Sequence, residues 1–185
     1  MTVLSGDPTT GRQSFEAQVP VAELHCFARD LGGSTLHVVV AAAGRALGWH
    51  PDVAGSLAGD GVDAARIGIR VDPERIAVVR EASTAPLPQL RDEVDRVVGA
   101  ARRGRLTGAD TGEAPITVVD HGTAGLRDAP IETSGCLLEA EPVADDPQAL
   151  RLTLEVDPAA IRPEDATRLL ETLVRLLSHP YRRLV

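Results

Sequence analysis

The sequence contains no lysine and no asparagine, and only 2% of its residues are aromatic. All 19 basic residues are therefore arginine. Without lysine there is no Schiff-base amine and no P-loop of the kind that holds phosphate with one. A net charge of -8 and an isoelectric point near 5.1 leave no basic surplus for a phosphate backbone. Scarce aromatic rings also remove the stacking platforms of single-strand binders, so no nucleic-acid partner is expected. No apolar run approaches the ~20 residues of a membrane span. The start, MTVLSGDPTTGRQ, has neither the basic nor the apolar region of a secretory signal. A cytoplasmic protein without a membrane partner is expected. Cys26 and Cys136 are distant in sequence and lack CxxC spacing, so both are expected as buried free thiols. The histidines lack His-x-His and His-x-x-x-His spacing, so no metal site is expected.

What is present is enough apolar material for one core: 43% of 185 residues are hydrophobic, and a chain of this length buries roughly 70% of its unfolded surface. Residues 1–14 are expected as a flexible leader and 15–185 as one domain. SFEAQVPV alternates like a strand, and ELHCFARDLGG reads as a helix stopped by Gly32 and Gly33. Ser34 is placed to cap a second helix, TLHVVVAAAGRALGWH, apolar on most sides and so deeply buried. ARIGIRV and RIAVVRE read as a hairpin about DPE. From Pro88 to Arg103, Leu90, Val94, Val97, Val98 and Ala101 recur at helical spacing. PITVVDHG reads as a strand entering a turn, and SGCLLEAEPV with ALRLTLEVD as a hairpin about ADDPQ. The last helix starts near Pro163, with Glu164 and Asp165 suiting its positive end. Hairpins interrupted by helices predict an α+β sandwich, helices packing on a largely antiparallel sheet.

Five strings stand in order along the chain: VVVAAAGRALGWHPDVAGSL, IGIRVDPERIAVVREAS, LPQLRDEVDRVVGAARRGRLT, PITVVDHGTAG and LTLEVDPAAIRPEDATRLLETLVRLL. Together, from about Phe15 to Val185, they resemble the catalytic domain of the 2-oxoacid dehydrogenase acyltransferases (E2), which share the chloramphenicol acetyltransferase fold. The first string is similar to the family's buried helix followed by a His-Pro and a small-residue strand, and the last to its strand, Asp-His-Arg-x-x-Asp-Gly turn and final helix. The resemblance implies the chloramphenicol acetyltransferase-like sandwich, a homotrimer with a channel between subunits, and an active site in which the turn histidine takes a proton from a thiol while a serine of a Thr-Ile-Ser-Asn strand stabilises the oxyanion. At those positions this chain carries Asp157, Pro158 for the histidine, Ala159, Arg162 and Pro163, and Thr117, Val118, Val119 and Asp120 with Val119 for the serine. Proline and alanine cannot transfer a proton, so the inherited base mechanism is expected to be absent. A leader this short has no room for a lipoyl domain, and an ordinary place in a 2-oxoacid dehydrogenase complex is not expected.

The candidates for a replacement are few. His121, beside Asp120, could act as a relocated base because imidazole titrates near neutrality. Strand neighbours point to opposite faces, however, so a relay between the two needs turn geometry; otherwise they are turn residues bonding backbone or water. Thr117, Val119, Asp157 and Pro158 would line a ligand site. Arg102 and Arg103, with Arg105, could grip a phosphate such as that of coenzyme A, or simply solvate a helix end. His25, His37, His50 and His179 are read as structural, as is the acidic turn Asp145–Asp146. Three functions stay open. The channel could bind an acyl or pantetheine-type small molecule, coenzyme A or an acyl thioester among them, and run a changed reaction such as cyclisation, elimination or unusual acyl transfer. The trimer could be a non-catalytic scaffold or regulator, a pseudoenzyme. Or the chain could be an acyltransferase using His121.

Overall fold

Apolar residues alternate along the strands, so one side of the sheet becomes core and helices must cover it. The structure, a computed structural model, describes residues 2–4, 11–59, 61–72, 75–120 and 135–185. In chain order the elements are β1 (Thr2–Leu4), β2 (Gln13–Pro20), α1 (Val21–Asp30), α2 (Thr35–Trp49), α3 (Pro51–Ala58), β3 (Ile67–Asp72), β4 (Arg75–Val79), α4 (Leu87–Arg102), β5 (Ile116–Asp120), β6 (Cys136–Val143), β7 (Asp146–Val156), α5 (Pro163–Ser178) and α6 (Pro180–Arg183). The strands form one sheet in the order β1-β2-β7-β6-β5-β3-β4. The β3–β5 and β5–β6 pairs are parallel and the other four antiparallel, as an α+β sandwich with a largely antiparallel sheet requires.

Helix α2 is the centre of the helical layer. It runs from the N-cap Ser34, in extended backbone conformation, and buries Leu36 to Gly44 without a break, then Ala46 and Leu47. It packs on β3 and β5 and is flanked by α1, α4 and α5. Its small residues permit that crowding. A Cβ on Gly44 would lie 2.3 Å from the carbonyl oxygen of Ala82, so the backbone after β4 passes directly over the helix. Arg45 fastens the same loop by donating to the carbonyl oxygens of Ser83 and Ala85.

Asp110 ties the loop after α4 to its surroundings. Its buried carboxylate accepts the Thr107 N–H at 3.0 Å and the Thr107 hydroxyl at 2.7 Å, and Arg96 of α4 donates to it at 2.6 Å. Its backbone oxygen accepts the Val78 N–H of β4 at 2.9 Å. At the other end of the chain, Tyr181 of α6 packs edge-on to Phe27 of α1, ring centres 5.0 Å apart.

Several local expectations are corrected. The small residues after Pro51 form helix α3, not a strand: proline opens it, Asp52 lies in its first turn, and Val53, Ala54, Leu57 and Ala58 bury at helical spacing. The expected leader contributes to the sheet, since Thr2–Leu4 pair with Ser14–Glu16 and β2 starts at Gln13. The turn before β7 is short because Asp146, whose carboxylate accepts the Gln148 N–H at 2.9 Å, already belongs to the strand. His179 lies between α5 and α6, 3.3 Å from Glu23. Cys26 is exposed, because the buried side of α1 is formed by Val21, Leu24, Phe27 and Ala28. Cys136 is buried as expected, and burial pushes its thiol pKa up to about 12.

Two outcomes are expected from substitution. Gly44→Ala should lower the unfolding free energy by about 2 kcal/mol, whereas Gly55→Ala in α3, where nothing lies within 4 Å of the added carbon, should raise it by about 0.5 kcal/mol; urea unfolding of the two variants measures both. Hydrogen bonds from Arg96 and Thr107 hold the Asp110 pKa well below the usual carboxylate range. A depressed folded-state pKa gives stability that is present above the unfolded value and lost as pH falls toward the folded one. Asp110→Asn should therefore cost about 1–3 kcal/mol at pH 7, with the gap to the parent closing only below about pH 4.

Candidate functional site

Alternation along β5 divides its side chains between two environments. Ile116 and Val118 join the main core under the helices, while Val119 packs with Leu137 in a separate cluster. Thr117 and Val119 are both buried, at 2% and 0% exposure. In register, Thr117 lies between Gly68 of β3 and Leu137 of β6, and Val119 between Arg70 and Glu139. The approach at Gly68 is tight, since a Cβ there would lie 2.8 Å from the Thr117 hydroxyl. Val119 is thus an apolar side chain between a cation and an anion. Arg70 is buried; burial draws its pKa down, and Glu139 and then Asp72 oppose that. A buried guanidinium is tolerated only where such partners compensate its lost hydration.

The turn after β7 holds the remaining expected residues, Asp157 and Pro158. Asp157, Pro158 and Ala159 are exposed. The Asp157 carboxylate accepts the Ala159 N–H at 2.8 Å, and its carbonyl accepts the N–H groups of Ala160 and Ile161 at 2.9 and 3.2 Å. Asp157 therefore builds an Asx turn that leads the chain into α5. No residue from Asp157 to Arg162 carries an imidazole.

Within one chain the β7 turn lies off the N-terminal end of β5, away from Asp120. Asp120 is level with Ala140 of β6, and Ala140 with Leu152 of β7. Asp157 lies five residues further along, about 16 Å in the strand direction. Thr117 and Val119 share one face of β5; Asp157 and Pro158 follow β7, two strands away, with Asp157 two residues beyond the level of Thr117 and four beyond that of Val119. His121 lies outside the described residues, as does the Asp120 side chain. Arg102 and Arg103 are exposed at the end of α4, and Arg102 lines a cavity on the helical side with His37 and Asp95. His50 is held by a structural bond of 2.8 Å to the Thr172 hydroxyl, its pKa lowered by burial and then by Arg168 and Arg175. The described residues contain no group of three or more His, Cys, Asp or Glu able to hold a metal ion, and no described helix is long and apolar enough to cross a membrane.

Arg70 and Glu139 escaped the sequence reading. The signal was a charged residue inside the otherwise apolar IGIRV, but that alone does not reveal its neighbour. The parallel pairing of β3 with β5, across the whole of α4, places it beside Val119.

Residues 23–131 match the family described as 2-oxoacid dehydrogenases acyltransferase (catalytic domain), more than half of the chain. The chain belongs to this family. No curated protein matches it. Among solved structures, this acyltransferase-family chain is similar to the dihydrolipoamide acetyltransferase of Azotobacter vinelandii, at 24% identity over 94% of this chain and 84% of that one, TM-score 0.75. A second similar structure is the cubic core of a pyruvate dehydrogenase multienzyme complex, at 24% identity, the same coverage and TM-score 0.74. Chloramphenicol acetyltransferase follows at 12% identity over 91% of this chain and 86% of that one, TM-score 0.61. The fold is thus that of the E2 and chloramphenicol acetyltransferase cores.

If Asp157 serves the turn alone, Asp157→Asn, which keeps the accepting oxygen, should leave the melting temperature within about 1 °C of the parent, and Asp157→Ala should cost about 1 kcal/mol; thermal unfolding of the two variants measures this.

Proposed function

We propose that this chain is a divergent member of its family that assembles as a homotrimer and binds an acyl or pantetheine-type small molecule in a channel between subunits. There it carries out a changed reaction, such as cyclisation, elimination or an unusual acyl transfer, without the family's histidine. What supports this reading is the turn Asp157–Ile161, where the resemblance to the family expects a histidine: the chain has Pro158 there, and the Asp157 carboxylate is engaged in turn geometry. Val119 in place of the oxyanion-binding serine agrees with it. Without a base or that hydroxyl, any acceleration comes from holding a reactive conformer and excluding water.

The trimer rests on two supports. In one chain the turn at Asp157 is two strands away from β5 and about 13 Å along the strands from Val119, so a second copy would be needed to set one against the other. The cubic core to which the chain is similar is an assembly. Coenzyme A or its thioesters are the ligands that the family points to, and Arg102 and Arg103 are candidates for their phosphates. A second reading is favoured by the burial of Thr117, Val119 and Leu137: a channel wall packed this closely suits a non-catalytic scaffold. The third, a base relocated to His121, depends on a residue outside the described ones and is separated by substitution.

Native mass spectrometry of the protein purified gently from its host tests all three. The expected spectrum is a trimer retaining a coenzyme A or acyl-sized mass. An empty trimer that no thioester or pantetheine compound stabilises to heat would favour the scaffold, and a monomer would overturn the reading. Thioester turnover abolished by His121→Ala would transfer the chemistry to that residue.

A further inference from the structure

On the helical side, away from β5 and the β7 turn, a cavity of about 340 Å³ opens where α2 begins beside α4. Leu36, Val94 and Val98 give it apolar walls and Arg102 a cation, and its lining also includes Ser34, His37 and Asp95. These last three are connected. The Ser34 hydroxyl is 3.0 Å from His37 Nδ1, and His37 Nε2 is 3.1 Å from Asp95 Oδ1. The tautomer follows from a third contact: the Ser34 backbone N–H donates to Nδ1 at 2.9 Å, so that nitrogen carries the lone pair and Nε2–H donates to Asp95. The imidazole therefore presents a basic nitrogen to a hydroxyl and a proton to a carboxylate, the arrangement in which serine nucleophiles are activated.

Helix capping accounts for part of this. Ser34 and His37 form a reciprocal capping box at the start of α2, a task that glutamate or glutamine usually performs at the third helical position. Capping does not require the bond to Asp95 on another helix, nor a cavity beside the hydroxyl. The ring is also fitted closely: a Cβ on Gly33 would stand 3.0 Å from it. The N–H groups of Thr35 and Leu36 open a 15-residue helix without intrahelical acceptors, next to Ser34, where an oxyanion would form.

We infer that Ser34 is the nucleophile of a second, esterase-type site, acting on activated esters with a small apolar acyl group and an anionic portion for Arg102. In the first step the Ser34 oxygen adds to the acyl carbon while its proton passes to His37 Nδ1. The ester C–O bond then breaks, and the departing oxygen takes that proton. Water attacks the acyl-Ser34 by the same route, and a carboxylic acid is released with Ser34 restored. Asp95 is a positioning residue that holds the ring in the required tautomer. Because the Ser34 N–H and hydroxyl compete for the single lone pair of Nδ1, acylation is slow and turnover modest.

The test uses the full-length protein, a fluorophosphonate serine probe and a 4-nitrophenyl ester of a short dicarboxylic acid. The expected result is a single probe adduct, located by peptide mass spectrometry on Ser34, together with measurable ester hydrolysis. Ser34→Asp keeps a good N-cap, and His37→Gln keeps the side-chain acceptor of a capping box. Both should retain the parent melting temperature while labelling or hydrolysis falls by about 100-fold. Asp95→Asn should alter the pH profile of labelling and leave the fold intact. A parent protein without an adduct at Ser34, or unchanged hydrolysis in folded Ser34→Asp, would overturn the inference. His121→Ala leaves this activity in place, and Arg102 is the one residue it shares with the phosphate contacts of the proposed channel; a Ser34 adduct in a protein that retains no thioester separates the two.

Discussion

Burial of α2 is the constraint on which the rest of the structure depends. A helix whose surface is apolar almost all round cannot lie on the outside of a domain. It needs the sheet beneath it and a helix on each flank, and β3, β5, α1, α4 and α5 provide these. The same crowding explains the alanine and glycine run Ala41–Gly44 and the passage of the Ala82 backbone over Gly44. Fixing α2 fixes the two ends of interest: its N-terminus beside α4, and the strand β5 beneath it.

The sheet carries charge around β5. Arg70 and Glu139 flank Val119, so the environment at that point is ionic and closely packed. The turn after β7 is a structural element, with Asp157 directing the chain into α5.

Much of the architecture was legible in the residues. The periodicity of α4 and α5, the proline and acidic start of α5, the β3–β4 hairpin and the β6–β7 hairpin all rest on local patterns that the structure retains. Local pattern failed where it was weak. The small residues of PDVAGSLA carry little strand or helix preference, and only burial of Val53, Ala54, Leu57 and Ala58 on one side made them helical. Thr2–Leu4 hold no periodic signal at all; pairing with β2 is what makes them a strand. Cys26 was misjudged because its segment is apolar on average while its own position faces outward.

The sequence by itself determined that neither the turn Asp157–Ile161 nor Val119 carries an imidazole or a hydroxyl. It also determined most of the helices and hairpins, α3 and β1 excepted, because these depend on residues close together in the chain. Which residues became neighbours was decided only by the tertiary structure. Arg70 reached Val119 through a parallel strand pair, Asp95 reached His37 across two helices, and Asp157 stayed about 16 Å from Asp120 along the strands. Those distances depend on how the layers stack, and no local pattern encodes them.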